Sequence, residues 1–165
     1  QGILSAGRLL SYAGMLEGKN VSWLPSYGPE MRGGTANCNV IISEQEIGSP
    51  ILNSTKSLIV MNSPSLEKFE KTVLKQGTII MDSSLIESKC KRDDIRKFEI
   101  PASKLAKDMG NIAFAIIILL GGYINDTKIV SKQSIKEAFP HVLPEKYHHL
   151  IPQEIKALEK GMSYT

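Results

Sequence analysis

The sequence predicts an α/β fold with three layers, α/β/α, around a mostly parallel or mixed central sheet of about six strands. Two apolar segments, "SLIVMNSPSL" (57–66) and "GTIIMDSSLI" (77–86), each place a short buried strand before Met, then Asn or Asp, then Ser. Strands that are apolar on both faces and alternate with helices are typical of parallel sheets. The 165 residues, 42% hydrophobic and 22% charged, predict one globular domain over residues 1–165.

Composition also argues against several classes of protein. A net charge of +3 is too small to indicate nucleic-acid binding. The most apolar run, "IAFAIIILL", is shorter than the roughly 20 residues of a membrane span, so a buried helix is expected. Cys38 and Cys90 form no CxxC pair, which predicts no disulfide, zinc site or iron–sulfur cluster within the chain and favours the cytoplasm.

The first elements follow from local patterns. Apolar residues at helical spacing predict a helix over Ile3–Leu16, and Gly18 marks its end. Gly7 and Gly14 are seven residues apart on one side of this helix, where they would let a neighbouring element approach closely. Strands are predicted at 20–24, stopping before Pro25, and at 35–43.

The later elements are mostly helical. Ser63 is predicted to cap a helix that has Pro64 at its first position, and residues 98–100 suit another strand. A buried helix is expected after Asn111, Ser134 resembles the start of a capping box, and Gly161 resembles a helix stop.

The segment between the first two strands carries the clearest functional pattern. "PSYGPEMRGGT" (25–35) could be a connection built from ordinary turn residues. However, consecutive glycines such as Gly33 and Gly34 can turn their N–H groups toward one anion, and Arg32 adds a fork suited to phosphate. Gly2, just before the first helix, is a second candidate phosphate contact. A simple NAD site is disfavoured because no acidic residue ends the strand before Pro25.

The same residues carry a family resemblance. "WLPSYGPEMRGGTANCNVIIS" (23–43) and "IGSP" (47–50) closely resemble the γ subunit of 2-oxoacid:ferredoxin oxidoreductases, particularly those acting on 2-oxoglutarate. "QGILSAGRLL" resembles the end of that family's GxGGQGxxxAGxxL motif, and "IVMNSPSLEKF" also fits. In the family a strand and further glycines precede this motif, so the chain is expected to be N-terminally incomplete.

The resemblance implies a role in an enzyme that oxidatively decarboxylates a 2-oxoacid, transfers the acyl group to coenzyme A and passes two electrons to ferredoxin. Thiamine diphosphate, Mg²⁺ and iron–sulfur clusters would belong to the thiamine-binding, oxoacid-binding and ferredoxin-like partner subunits. No catalytic or metal-binding residue is expected in this chain, and no membrane or nucleic acid is an expected partner. The expected contribution is to help hold coenzyme A and complete the assembly.

The expected coenzyme A contacts lie in four parts of the chain. They are Gly2, Tyr27, Gly28, Arg32, Gly33, Gly34, Thr35, Asn62 and Asn111. Asn62, Asn111 and Asp82 also suit helix capping, and that alternative stays open. Glu30 would orient Arg32 or meet a partner, while Met31, with Trp23 and Tyr27, suits a subunit interface; Trp23 equally suits the core.

Two further functions stay open from the sequence. The family also includes enzymes for pyruvate, indolepyruvate and branched-chain oxoacids, and the carboxylate of the substrate is expected to be recognised by other subunits. A stand-alone module that binds coenzyme A or a nucleotide would need no catalytic partners.

Overall fold

The computed structural model describes residues 2–26 and 36–165. The described residues contain both helices and strands, in accordance with the predicted α/β class. They are α1 (Ile3–Leu16), β1 (Asn20–Ser26), β2 (Asn37–Ser43), β3 (Thr55–Val60), α2 (Ser63–Phe69), β4 (Val73–Asp82), β5 (Arg96–Ile100), α3 (Ala102–Asp108), α4 (Ala115–Thr127), α5 (Lys132–Val142) and α6 (Ile151–Met162). Short 3₁₀ helices at Glu70–Thr72, Ile112–Phe114 and Glu145–Leu150 connect some of them.

The chain divides into two compact units. We call residues 53–126 and 156–165 the sheet unit, and residues 2–52 and 127–155 the ribbon unit. The boundaries fall at the end of α4 and within α6. The single domain over residues 1–165 stays a prediction.

The sheet unit contains a parallel three-stranded sheet in the order β3-β4-β5. The middle of the sheet is apolar, with Ile80 of β4 opposite Ile59 and Phe98. The buried core beside the sheet consists of Val60, Leu66, Val73, Ile79, Met81, Ile86, Cys90 and Ile95. The predicted α/β fold with parallel strands is therefore confirmed, whereas the described residues distribute five strands over two sheets instead of about six in one.

The two long helices of the sheet unit contact each other through glycine. A Cβ added at Gly161 would overlap the carbonyl oxygen of Ile118, and one at Gly121 would overlap that of Leu158. The prediction that Gly161 stops its helix is wrong, because α6 continues to Met162 and Gly161 serves this close approach instead.

The ribbon unit is built on α1, against which the antiparallel pair β1-β2 packs. The strands pair in register from Asn20↔Ser43 to Ser26↔Asn37. β1 therefore runs through Pro25, where we expected it to stop. Within the described residues β1 is paired only on the side of β2, and the missing N–H of a proline is tolerated in such an edge strand.

A carboxylate joins α1 to α5 within the ribbon unit. Glu17 Oε1 accepts hydrogen bonds from the N–H of Ser131 at 2.6 Å and from the hydroxyl of Ser134 at 2.8 Å. Its Oε2 pairs with the ammonium of Lys19 at 2.8 Å. Ser131, rather than the predicted Ser134, caps α5, since its hydroxyl accepts the N–H of Ser134 at 3.0 Å.

Two further properties concern only the residues that the structure describes. None of their helices is long and apolar enough to span a membrane. Over residues 2–26 and 36–165, no three His, Cys, Asp or Glu side chains are grouped closely enough to hold a metal ion.

Candidate functional site

The N-terminus of α1 has the geometry of an anion site. Gly2 precedes the helix with φ 74° and ψ 10°, a left-handed conformation that glycine adopts without strain. Among residues 2–26 and 36–165 no side chain caps this end, and no acidic residue occupies the first turn. The first N–H groups of the helix and the positive end of its dipole suit a negatively charged ligand, and the phosphate contact of Gly2 stays a prediction.

The β1-β2 ribbon runs along α1 in a defined direction. Near the start of the helix, the Cys38 thiol lies 3.7 Å from the carbonyl oxygen of Ile3. Toward the other end, the space above Gly14 is closed by Val21 and Ile42. The ribbon end formed by Ser26 and Asn37 is the one near the start of α1, because Cys38 adjoins that last pair.

Residues 27–36 connect these two strand ends in sequence. Residues 27–35, for which the sequence predicts a loop and which we call the loop segment, lie outside the described residues. The fold thus brings the attachment points of the loop segment to the same end of α1 as Gly2. Eight residues predicted for this region lie outside the described residues, so their roles stay predictions: Tyr27, Gly28, Glu30, Met31, Arg32, Gly33, Gly34 and Thr35.

The side chains of Trp23 and Cys38 contact α1 at Gly7, near the end of the ribbon formed by Ser26 and Asn37. Burial raises the pKa of the Cys38 thiol above its usual 9.0, and the indole N–H of Trp23 offsets this only in part. The indole nitrogen is buried and makes no hydrogen bond of standard geometry with any residue in the described ranges. Trp23 itself is half-buried, and its predicted place in a subunit interface stays a prediction.

Asn62 and Asn111 both act as helix caps. The side-chain oxygen of Asn62 accepts the N–H of Ser65 at 2.9 Å at the start of α2, so Asn62 takes the role predicted for Ser63. The side-chain oxygen of Asn111 accepts the N–H of Ala113 at 3.0 Å. Capping thus explains both residue types locally, and their contact with coenzyme A stays a prediction.

Asp82 is a buried anchor at the C-terminal end of β4. It is fully buried, and its carboxylate accepts the N–H of Ser84 at 3.0 Å and both the N–H and the hydroxyl of Ser103. Asp82 therefore fixes the beginning of α3 to the end of β4. The contacts of Asp82 therefore agree with the capping alternative. The helix that it caps is α3, which follows β5, the next strand along the chain.

The sequence patterns did not predict that Cys38 and Trp23 contact Gly7 of α1. The signal that could have found them is the pair Gly7 and Gly14, for which a close neighbouring element was predicted. That prediction is confirmed, since a Cβ at Gly7 would lie 2.6 Å from Cys38 Sγ, and one at Gly14 would lie 3.0 Å from Val21 Cγ2.

Comparison with known proteins identifies the family. Residues 1–164 match the family model described as pyruvate ferredoxin/flavodoxin oxidoreductase. The chain is 38% identical over its whole length to the ketoisovalerate oxidoreductase subunit VorA of Methanothermobacter marburgensis. It is also 30% identical, over 88% of its length, to the 2-oxoglutarate synthase subunit KorC of Methanocaldococcus jannaschii. The chain therefore belongs to the pyruvate ferredoxin/flavodoxin oxidoreductase family.

Solved structures have the same fold. The γ subunit of a keto/oxoacid ferredoxin oxidoreductase from Geobacter sulfurreducens superposes with a TM-score of 0.84 at 26% identity, over 99% of this chain and 90% of that one. The 2-oxoglutarate:ferredoxin oxidoreductase from Magnetococcus marinus, solved with 2-oxoglutarate, coenzyme A and succinyl-CoA bound, superposes with a TM-score of 0.87 over 99% of this chain. Its 19% identity supports the fold alone, and this chain covers 28% of it.

The relatives differ in length from this chain. The aligned region covers 34% of VorA and 79% of KorC. The chain thus spans about a third of the first of these relatives and most of the second.

Proposed function

We propose that the chain is the γ-type part of a cytoplasmic 2-oxoacid:ferredoxin oxidoreductase. The enzyme would decarboxylate a 2-oxoacid, transfer the acyl group to coenzyme A and pass two electrons to ferredoxin. The observation that carries this proposal is the family match over residues 1–164. The partners would be the thiamine-binding, oxoacid-binding and ferredoxin-like parts of the assembly, and ferredoxin would interact only indirectly.

The role of this chain would be to help bind coenzyme A. Coenzyme A carries a pyrophosphate and a 3′-phosphate, so its binding site needs N–H groups and positive charge. The start of α1 at Gly2 would offer the N–H groups, and the end of β2 that carries Cys38 lies near the start of this helix. Arg32 would supply the charged fork, with the N–H groups of Gly33 and Gly34 beside it.

The redox chemistry would take place on cofactors held by partner subunits. Iron–sulfur clusters need about four thiolates, and the chain contains only Cys38 and Cys90. Thiamine diphosphate would supply the electron sink for decarboxylation when bound in its own subunit, with Mg²⁺ on its diphosphate. This chain's residues would hold the acyl acceptor close to that site.

The substrate would be 2-oxoglutarate, as the loop resemblance implies. A branched-chain oxoacid is the second candidate, because the identity to VorA, a ketoisovalerate oxidoreductase subunit, is higher than that to KorC. Steady-state assays of the assembled enzyme with 2-oxoglutarate, ketoisovalerate, indolepyruvate and pyruvate would decide between them. Purification of the chain from its native source without thiamine-binding partners would instead favour a stand-alone module that binds coenzyme A.

Calorimetric titration of coenzyme A into the assembled enzyme tests the proposed role. Arg32→Ala is expected to raise the Kd about 10- to 150-fold, corresponding to the roughly 1.5–3 kcal/mol of a charge-assisted hydrogen bond. Arg32→Lys should recover only part of this loss, because an ammonium cannot form a bidentate fork. Lys75→Ala, which removes an equal charge from an exposed position in the sheet unit, should bind like wild type. An unchanged Kd in Arg32→Ala would contradict the role.

A further inference from the structure

We propose that the carboxyl edge of the parallel sheet is the surface on which another part of the oxidoreductase docks. The exposed side chains that mark this surface, which we call the edge patch, are Leu85, Lys104, Lys107 and Ile112. The docking part would present apolar side chains and carboxylates. The inference rests on the proposed function, in which other parts of the enzyme contact this chain.

Leu85 lies at the carboxyl end of β4, the central strand of the sheet. Its N–H donates to the carbonyl oxygen of Asp82, the last residue of β4, at 3.2 Å. Leu85 is 46% exposed. In open α/β sheets ligands bind outside the carboxyl ends of the strands, so a part of the enzyme that shares a ligand with this chain would approach from this side.

Ile112 lies at the same edge because of the direction of α4. Near the end of this helix, the Asp126 carboxylate accepts a hydrogen bond from Arg96, the first residue of β5. Four residues earlier, Gly122 packs against Ile100, the last residue of β5, since a Cβ there would lie 2.5 Å from Ile100 Cδ1. α4 therefore runs from the carboxyl toward the amino ends of the strands, and Ile112, which precedes it, lies beyond the carboxyl ends. Ile112 is 54% exposed.

The edge patch is held in place by the buried anchor at Asp82. The Asp82 carboxylate accepts the N–H of Ser84 at 3.0 Å, next to Leu85, and the N–H of Ser103 at the start of α3. The Ser84 hydroxyl oxygen in turn accepts the N–H of Lys104 at 3.1 Å. A surface that is already rigid loses little conformational freedom on docking, which favours association.

The edge patch carries positive charge. Lys104 and Lys107 are exposed and three residues apart on α3, so they share one face of that helix. The ion pairs within residues 2–26 and 36–165 involve neither lysine. The one acidic residue of α3 is Asp108, its last residue. Apolar side chains beside two ammonium groups without an ion pair suit a partner surface that combines apolar and acidic side chains.

Leu74 provides a matched comparison at the other end of β4. It is also 46% exposed, but it is the second residue of that strand and therefore lies at the amino edge of the sheet. An effect of assembly on Leu85 that is absent at Leu74 would depend on position and not on exposure.

Hydroxyl-radical footprinting of the assembled wild-type enzyme tests the proposal, with carbodiimide coupling as a second arm. After correction for intrinsic reactivity, Leu85 and Ile112 are expected to be oxidised about fivefold or more slowly than Leu74, because a docked surface excludes solvent. Carbodiimide, which joins amines to carboxylates in contact, is expected to link Lys104 or Lys107 to Asp or Glu of another part of the enzyme. Leu85 and Ile112 as reactive as Leu74, or cross-links only to a second copy of this chain, would overturn the proposal.

Substitution measures how much the edge patch contributes to assembly. Leu85→Glu is expected to raise the concentration at which the assembly dissociates about 10-fold, because the new charge would face the carboxylates of the partner. Leu74→Glu should stay within about twofold of wild type. Both positions are exposed, so both variants should fold. Equal dissociation of Leu85→Glu and Leu74→Glu would overturn the proposal.

Purification of the wild-type enzyme separates the two possible failures. If the chain purifies with thiamine-binding parts, and Leu85 and Ile112 are as reactive as Leu74, only the docking surface is wrong. If the chain purifies without such parts, the proposed function fails, and the docking surface fails with it.

Discussion

Replacing Glu17 by Gln should destabilise the ribbon unit in a pH-dependent way. Burial alone would raise the pKa of Glu17, but the hydrogen bonds from Lys19, Ser131 and Ser134 outweigh it and lower that pKa from 4.5 to about 2. A carboxyl group whose pKa is depressed by folding stabilises the folded state above its unfolded pKa. This stabilisation should therefore be complete above about pH 5 and be lost progressively toward pH 2.

The size of the effect follows from the same contacts. A shift from 4.5 to about 2 would correspond to about 3.4 kcal/mol if all of it acted on stability. The Glu17 side chain is 21% exposed, so solvent screening reduces the expected loss to about 1–2 kcal/mol at pH 7. Glutamine retains one oxygen acceptor, but it loses the charge that strengthens each of these hydrogen bonds.

Urea unfolding of the two proteins between pH 2 and pH 8 measures this difference. The free energy of unfolding of Glu17→Gln should be lower than that of wild type at pH 7, and the two should converge as the pH falls toward 2. Glu137→Gln is the control, because Glu137 is exposed on α5 and accepts a hydrogen bond from the side chain of Gln133, which is exposed too. A difference that is constant with pH, or an equal loss in the control, would refute the reasoning.

Three further substitutions test other parts of the structure. Burial raises the pKa of Glu154 to about 7, so wild type should lose stability as the pH rises from 4.5 through 7. In urea unfolding, Glu154→Gln should be as stable as wild type at pH 4 and about 1 kcal/mol more stable at pH 8. Gly161→Ala should cost about 2–3 kcal/mol in the same assay because its Cβ would overlap Ile118, whereas Gly48→Ala, with open space around it, should be neutral. Asn111→Ala should be about 1 kcal/mol less stable than wild type because it loses the helix cap, and Asn111→Ser should largely restore this stability. A Ser variant as unstable as the Ala variant would argue against the cap. Weaker coenzyme A binding by a stable Asn111→Ser enzyme would indicate a direct contact.

Local sequence patterns predicted those features that depend on neighbouring residues. The bounds Ile3–Leu16 of α1 were predictable because an apolar stripe ends next to Gly18, which adopts φ 73° after the helix. Cap positions were harder to predict, because Asn62 and Ser63 are both good capping residues. The cap is Asn62, whose extended backbone, φ −154°, precedes the helix.

Features that depend on distant residues could not be predicted in the same way. Glu17 and Ser131 are 114 residues apart, and no local pattern connects them. A glycine near the end of a helix, such as Gly161, can either stop the helix or allow a close contact with another helix. Only the packing of Gly161 on Ile118 shows that the second explanation applies. For the candidate site, the glycine spacing on α1 predicted a close neighbour, but the register that brings Cys38 and the loop ends to Gly2 required the structure.

Single-turnover reduction of the iron–sulfur clusters by the 2-oxoacid, without and then with coenzyme A, tests the central claim most directly. The claim is that this chain supports coenzyme A binding while the redox chemistry takes place on partner subunits. In an intact Arg32→Ala assembly, cluster reduction without coenzyme A should proceed at nearly the wild-type rate, and the coenzyme A concentration needed for full turnover should rise about 10- to 150-fold. Loss of the coenzyme-A-independent step in that assembly would contradict the claim, as would a variant in which no step changes.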